Sequence, residues 1–254
     1  MSKDSSFSVL AFGRNTWRGP MKTKAILLDI EGTTTAIRFV HEVLFPYAKR
    51  ALPGYVRANQ ADATVSALLD DVREEAQIDE DGVESVIEEL LRWIEEDKKA
   101  TPLKSLQGLM WQAGYQDGDF KGHVYSDTAP SLQRWGDSGL TLYVYSSGSV
   151  KAQKLLFGHS EAGDLCQHFA GYFDTKVGHK RESASYAAIA EQTGFAPSEI
   201  LFLSDVVEEL DAARQAGMAT TQLVRDDDTQ AGEKHPVARS FSEVVVPGQP
   251  TGDS

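Results

Sequence analysis

Three short segments place polar or acidic side chains directly after apolar runs. AILLDIEG reaches Asp29 and then Glu31, while TLYVYSS and ILFLSD end on Ser146, Ser147 and Asp205. The carboxyl ends of parallel strands meet at one edge of a sheet, where ligands bind in α/β proteins. The sequence therefore predicts a site of carboxylates and hydroxyls at that edge.

The predicted site carries more negative charge than it can hold without a cation. At an effective dielectric of about 20, Asp29, Glu31 and Asp205 repel one another and any phosphate by several kcal/mol. Mg²⁺ takes oxygen ligands and is commonly held by one or two carboxylates together with a substrate phosphate. We therefore expect one Mg²⁺ per subunit at these three acids.

With a cation present, the same residues suit phosphoryl transfer. Asp29 is the expected nucleophile, because a carboxylate can attack phosphorus and form an acyl phosphate. Lys180, from the segment TKVGHK, is expected to hold the phosphoryl oxygens together with Ser146 and Ser147. Glu31 is expected to move protons to the leaving oxygen and from the hydrolytic water.

Most of these residues also have a purely structural explanation. Asp29 could cap a helix, although the EGTTT that follows is not an amphipathic start. Glu31 could be a solvated loop acid. Ser146 or Ser147 could cap a helix that begins near GSVKAQKLL. Asp205 could cap a helix that begins at VVEELDAA. On the residues alone, these alternatives stay open.

Charged neighbours leave two further choices. Lys176 lies four residues before Lys180, and the pattern does not favour either lysine. Glu208 and Glu209 follow Asp205 in the first predicted helical turn, where acids interact favourably with the helix dipole. Glu209 has the better spacing to support a metal held by Asp205, but neither glutamate is assigned to the site.

The surrounding pattern indicates an α/β fold. Short apolar or β-branched runs are typical of strands buried on both faces of a parallel sheet, and amphipathic segments between them predict helices. This alternation predicts a doubly wound, mostly parallel, Rossmann-like sheet. The predicted strands are 25–30, 141–147, 200–205 and 220–225.

One long segment interrupts the alternation. Residues 39–116 contain helix-like patterns and no good strand, which predicts a helical cap inserted after the first strand. The predicted organisation has four parts: a disordered N-terminal extension at 1–20, an α/β core at 21–38 and 117–246, the cap at 39–116, and a flexible tail at 247–254.

Composition narrows the class of partner. The formal charge of −13 and the pI near 4.9 argue against a nucleic-acid or anionic-membrane surface, because the phosphates would be repelled. No apolar run approaches a membrane span. The only cysteine, Cys166, has no partner, and the six histidines lack metal-ligand spacing. We expect a cytoplasmic protein whose partner is a small molecule.

Four motifs carry a family resemblance. DIEGTTT, YSSGS, VGHK and FLSDVVEELDAA resemble the signature segments of haloacid dehalogenase-type phosphatases, with Glu31 where that superfamily usually has a second Asp. Together with DKKATPLKSLQGLMWQAGY, KGHVYSD and YFDTKVGHKRESASY, they resemble the enolase-phosphatase E1, or acireductone synthase, family of methionine salvage. The resemblance extends from Met21 to about Val224.

The resemblance implies a bifunctional, Mg²⁺-dependent, monomeric enzyme. Members of this family enolise 2,3-diketo-5-methylthiopentyl-1-phosphate and dephosphorylate the product to acireductone (1,2-dihydroxy-3-keto-5-methylthiopentene) and phosphate. Whether Glu31 meets the metal through its side chain or through its main-chain carbonyl stays open. Carried over by position, the metal ligands are Asp29, Glu31 and Asp205, and the substrate-binding residues are Ser146, Ser147 and Lys180.

Two other functions remain as alternatives. A broad-specificity haloacid dehalogenase-like phosphatase of small phosphate monoesters would share Asp29, Ser146, Lys180 and Asp205 but would need no enolising residue. A receiver-like module would take a phosphoryl group on Asp29 and keep it. The long helical insertion argues against the receiver, because a signalling switch does not require it.

Overall fold

The structure is a computed structural model that describes residues 22–79, 82–227 and 229–249. The predicted extension at 1–20 lies outside the described residues, as does the end of the predicted tail from residue 250 onward. The first three tail residues are described. There, the Thr23 amide donates a hydrogen bond to the Pro247 carbonyl (3.0 Å), so the two ends of the described chain meet.

The core is one six-stranded parallel sheet in the order β3-β2-β1-β4-β5-β6. This confirms the predicted doubly wound α/β fold, and it adds the two edge strands, β3 and β6, to the four predicted ones. The strands are β1 (Ala25–Leu28), β2 (Thr141–Tyr145), β3 (Phe169–Phe173), β4 (Ile200–Ser204), β5 (Ala219–Leu223) and β6 (Val237–Ala238).

The central strand β1 explains why the sequence pattern is continuously apolar there. Its four residues are fully buried and alternate between the two faces of the sheet. Ile26 and Leu28 pack in the apolar cluster on one face, whereas Ala25 and Leu27 pack in the cluster on the other. Helices cover both faces, as a parallel sheet requires.

Nine α-helices lie in the described residues. Four belong to the α/β core and follow or precede its strands. Five lie between β1 and residue 118, with a π-helical segment, Val40–Leu44, between the first two. They are α1 (Ile37–Phe39), α2 (Phe45–Asn59), α3 (Ala63–Ala76), α4 (Val83–Glu95), α5 (Thr101–Asp117), α6 (Thr128–Asp137), α7 (Val150–Gly158), α8 (Ser183–Thr193) and α9 (Val207–Gln215).

The inserted helices confirm the predicted helical cap. Helices α2 to α5 enclose an apolar cluster of their own, in which Leu52, Leu90 and Leu106 are fully buried. The cap also contacts the core: the ring of Tyr115 in α5 stacks on His159, after α7, with centroids 5.6 Å apart. No helix in the described part of the chain is both long and apolar enough to cross a membrane.

Candidate active site

Asp29 stands at the centre of the carboxyl edge of the sheet. It directly follows β1, its amide donates to the Leu203 carbonyl (3.0 Å), and the residue is 2% exposed. The chain then turns sharply, because the amides of Thr34 and Thr35 both donate to the Ile30 carbonyl. Asp29 is therefore fixed by the sheet ladder itself, and the residues after it form a tight loop.

Gly32 lets this loop lie against Asp205. Its φ of +75° lies in the left-handed region, and a Cβ at this position would lie only 2.3 Å from Oδ2 of Asp205. A larger residue would displace either the loop or the carboxylate. The glycine of DIEGTTT therefore brings the first strand end close to the end of β4.

Lys180 lies between two carboxylates. Its Nζ is 2.5 Å from Oδ1 of Asp29 and 2.7 Å from Oε2 of Glu209. The fully buried Tyr186 donates its hydroxyl to the Lys180 carbonyl (2.6 Å), which fixes the loop. Lys176 is exposed, so the geometry selects Lys180 from the two candidate lysines.

Burial and charge act in opposite directions on the lysine. Burial lowers the pKa of Lys180, but the adjacent carboxylates of Asp29 and Glu209 more than offset this, and the net effect raises it. Burial and the charge of Asp29 raise the pKa of Glu209, while Lys180 opposes the rise. The lysine therefore remains a permanent cation at the centre of the cluster.

Two residues of this cluster, Ser204 and Glu209, were not assigned to the site from the sequence. The Ser204 hydroxyl lies 3.3 Å from Oδ2 of Asp29 and 3.1 Å from Oε2 of Glu209, and its one proton can serve either carboxylate. Ser204 is hidden in the apolar run ILFLS, which gave no signal. Glu209 had a signal in its spacing from Asp205, but an acid in a first helical turn is also expected on dipole grounds alone.

Asp205 follows β4, and one oxygen of its carboxylate lacks, in the described part of the chain, a partner that would offset the cost of its burial. Its Oδ1 is buried and has no hydrogen-bond partner among the described residues. Burial and the charge of Asp29 raise the pKa of Asp205 to about 7. An orphaned carboxylate oxygen beside a second carboxylate is the donor set that a hard divalent cation prefers.

Glu31 turns away from Asp205. Its Oε2 accepts a hydrogen bond from the Ser146 hydroxyl (3.3 Å) after β2, whereas Asp205 follows β4 on the other side of β1. Burial and the charge of Asp29 raise the pKa of Glu31. Within residues 22–79, 82–227 and 229–249, no three His, Cys, Asp or Glu side chains form a metal-binding cluster. The structure thus does not join the three predicted ligand side chains in one cluster.

The donors still fit Mg²⁺, which does not require three side-chain ligands. Asp29 and Asp205 supply carboxylate oxygens near each other, and the main-chain carbonyl of Glu31 is one residue from Gly32, which contacts Asp205. Mg²⁺ completes such sets with water and substrate phosphate. Because the carboxyl of Glu31 bonds to Ser146, its main-chain carbonyl is the oxygen that Glu31 would offer to the cation.

The serines at the end of β2 differ in their surroundings. Ser146 is buried, and its hydroxyl oxygen also accepts the Gly148 amide (3.1 Å), whereas Ser147 is exposed. Neither caps α7, because Ser149 does so by accepting the Ala152 amide (3.2 Å). The structural alternative for Ser146 and Ser147 is therefore wrong, and both remain available at the sheet edge.

The structural alternative for Asp205 is also wrong. The N-cap residue of α9 is Val206, and no side chain makes a capping hydrogen bond there. The Val206 amide instead bonds to the hydroxyl oxygen of Ser204 (3.1 Å). The Asp205 carboxylate is thus free of a capping role and faces the loop after β1.

Comparisons with known proteins agree on one family. The family model described as haloacid dehalogenase-like hydrolase matches residues 23–217. A protein from Pseudomonas aeruginosa named enolase-phosphatase E1 is 58% identical over 226 residues, which cover 89% of this chain and 100% of the relative. A protein of the same name from Azotobacter vinelandii is 55% identical over 224 residues, covering 88% and 98%.

A solved structure extends this agreement to the fold. The crystal structure of the UTR4 protein from Saccharomyces cerevisiae superposes with a TM-score of 0.75 at 38% sequence identity, covering 88% of this chain and 100% of that one. The parallel sheet, the cap and the relatives point to the same assignment. This chain belongs to the haloacid dehalogenase-like hydrolases and, among them, to the enolase-phosphatase E1 family.

Proposed function

We propose that the protein is a bifunctional enolase-phosphatase of methionine salvage. It converts 2,3-diketo-5-methylthiopentyl-1-phosphate to acireductone and phosphate. The observation that carries the proposal is the divided site around Asp29: a carboxylate 2.5 Å from Lys180, with a second acid, Glu31, two residues away and turned toward Ser146. The names of the similar proteins support the same reaction.

Phosphate release follows from the positions of these groups. An Asp29 oxygen attacks phosphorus, the bond to the enol oxygen breaks, and that oxygen leaves with its electron pair and takes a proton from Glu31. Water then attacks the acyl phosphate, gives its proton to Glu31, and releases phosphate and the free Asp29 carboxylate. Lys180 stays charged throughout and, with Ser146 and Ser147, holds the phosphoryl oxygens.

Glu31 suits this role because its environment raises its pKa. A carboxyl group whose pKa is raised above its ordinary value is better suited to donate a proton and later accept another. For the cation, we propose Asp29, Asp205 and Glu31 as the residues that hold one Mg²⁺, with the main-chain carbonyl as the contribution of Glu31. When bound, Mg²⁺ would offset the negative charge of the phosphate and of the carboxylates.

We also propose the domain roles. Residues 21–38 and 117–246 form the α/β core, and residues 39–116 form a cap that excludes water from the sheet edge during the reaction. Enolisation moves a proton from carbon to oxygen beside a carbonyl, and a site closed to water protects the enol. The protein is proposed to act as a cytoplasmic monomer on this small phosphorylated substrate.

A substrate panel tests the proposal. Purified protein with Mg²⁺ is given the diketo phosphate and, separately, several small phosphate monoesters, while enol absorbance and phosphate are followed. We expect kcat/KM for the diketo phosphate to exceed that for the simple esters by about a hundredfold or more, because remote substrate contacts raise specificity in the transition state. Similar values for all esters would favour the broad-specificity phosphatase, and a stable phosphoprotein without turnover would favour the receiver-like module.

A further inference from the structure

The loop after Asp29 is held from outside by a buried arginine. The side chain of Arg225, two residues after β5, is 4% exposed. Its Nε donates to the Thr33 carbonyl (2.9 Å), and its Nη1 lies 2.7 Å from Oδ2 of Asp127. A buried arginine is costly unless it is paired, so its position at this loop needs an explanation.

The surroundings of Arg225 fix its guanidinium in one plane. The rings of Tyr125 and Phe241 each lie 4.4 Å from its central carbon. Asp127 also accepts the Phe241 amide (2.5 Å), so the same carboxylate anchors the arginine and one of the rings. Arg225 therefore has a single orientation, set by two rings and one acid.

The carbonyl of the next loop residue, Thr34, is also held by hydrogen bonds. The Thr34 carbonyl accepts the Tyr125 amide (3.0 Å) and the Thr128 hydroxyl (3.2 Å). Two consecutive loop carbonyls are thus held, the first by Arg225 itself and the second by Thr128 and by Tyr125, whose ring packs on Arg225. None of these contacts involves a side chain that we place in catalysis.

The two acids of the site depend on this support to different degrees. Asp29 is held by the sheet through its amide bond to Leu203. Glu31 lies on the loop itself, and its carboxyl accepts a hydrogen bond of 3.3 Å from Ser146. The position of Glu31 therefore follows the position of the loop, whereas that of Asp29 does not.

We propose that Arg225 is a positioning residue that holds the catalytic loop, through the Thr33 carbonyl, so that Glu31 reaches the leaving oxygen and the hydrolytic water. The inference rests on the proposed function, because it requires Glu31 to transfer protons. It assigns a role to a residue that lies outside the four motifs of the sequence and touches neither metal ligand nor phosphate site.

The test compares Arg225→Lys with the same substitution at a second arginine, Arg134, which is exposed. Lysine keeps the charge but lacks the Nε–H group and the planar guanidinium. We expect kcat to fall about tenfold or more with KM changed less than about twofold, since small misplacements of a catalytic group are costly. Arg134→Lys is the control, because Arg134 bonds to the Phe241 carbonyl (3.2 Å) without contacting the loop, and its kcat should stay within about twofold.

A double-mutant cycle separates positioning from general damage. If Arg225 acts through Glu31, then Arg225→Lys should lower activity less than about twofold in a Glu31→Gln background. The same tenfold loss in both backgrounds would overturn the proposal. Asp127→Asn, which weakens the anchor of Arg225 but keeps the arginine, should lower kcat in the same direction by about threefold, and thermal unfolding of each variant checks that it is folded.

An aryl phosphate run in parallel keeps this test separate from the proposed function. If the wild type hydrolyses the aryl phosphate but ignores the diketo phosphate, the proposed substrate is wrong, and the same cycle on the aryl phosphate decides the role of Arg225. If the wild type turns over the diketo phosphate while Arg225→Lys behaves like Arg134→Lys, the positioning role alone is wrong.

Discussion

Charged side chains lie in opposite environments at the sheet edge and in the cap. At the edge, the paired side chains of Lys180 and Asp29 are 8% and 3% exposed. In the cap, the paired side chains of Arg57 and Glu84 are 51% and 58% exposed. This cap pair lies in water, whereas the edge removes its charges from water around one lysine.

This difference separates stability from function. Burying a charge costs several kcal/mol even when it is paired, whereas exposed pairs contribute little. The cap gains its stability from an apolar cluster, in which Leu90 and Trp93 are fully buried. The charges at the sheet edge are therefore costly to the fold, and we propose that they are retained for chemistry.

The largest effect is expected at the central lysine. Lys180→Met should lower kcat about a hundredfold to a thousandfold, because the transition state loses its fixed cation. It should also lower the free energy of unfolding by about 3 kcal/mol in metal-free protein, since Asp29 and Glu209 lose their partner. Enzyme assays and urea unfolding measure the two losses.

Lys176→Met is the matched control for this change, because it alters an exposed lysine of the same segment. It should leave both quantities nearly unchanged. Equal activity losses in the two variants would show that the segment, rather than the buried ion pair, matters.

A second change should affect the cap alone. Leu90→Ala removes a fully buried side chain from the cap cluster and should cost about 2–5 kcal/mol in urea unfolding. The neighbouring Leu91 is only half-buried, so Leu91→Ala should cost clearly less. A Leu90→Ala protein as stable as the wild type would mean that the cap cluster does not stabilise the fold.

Metal binding should depend on pH through Asp205. Because the pKa of this carboxyl is raised to about 7, a proton competes with Mg²⁺ below that pH. The affinity for Mg²⁺ should rise as the pH increases from 6 to 8 and should fall by up to about tenfold per unit below 7. Calorimetric titration at several pH values measures this, and a flat profile would contradict it.

The same raised pKa gives a stability effect of opposite sign in metal-free protein. The folded state binds the Asp205 proton more tightly than the unfolded state, whose pKa is about 4. This contribution to stability is complete below that unfolded pKa and is lost as the pH rises through about 7. Asp205→Asn should remove it, which comparison of unfolding curves at pH 5 and pH 8 detects.

The smallest effect is expected at an exposed pair of the cap. Arg57 makes two hydrogen bonds to Glu84, at 2.8 and 2.7 Å, yet both side chains are largely in water. Arg57→Gln should therefore leave the unfolding midpoint unchanged within error, because solvent screens the pair. A loss comparable to that of Lys180→Met would remove the distinction between the two regions.

The sequence predicts the parts of the fold that have strong local patterns. The strands β1, β2, β4 and β5 coincide with continuous apolar or β-branched runs. The two edge strands lack such a run: β3 has Gly171 at its centre and is only partly buried, and β6 contains two residues. Their pairing depends on the neighbouring strand, which no local window contains.

In the site, too, the sequence predicts only those residues that local patterns mark. Asp29, Ser146 and Asp205 lie at the carboxyl ends of predicted strands, so the sheet topology alone brings them together. Lys180 was chosen over Lys176 by family resemblance, because its approach to Asp29 spans 151 residues of chain. Arg225 gave no signal, since its partners Thr33 and Asp127 are 192 and 98 residues away.

We propose that one buried carboxylate, Asp29, carries the phosphoryl transfer. The most direct test is a coupled assay on the diketo phosphate with Mg²⁺, in which enol absorbance and phosphate release are recorded together for wild type and Asp29→Asn. We predict both signals in the wild type and no phosphate release in the variant. Phosphate release by Asp29→Asn at a rate near that of the wild type would show that Asp29 is not the nucleophile.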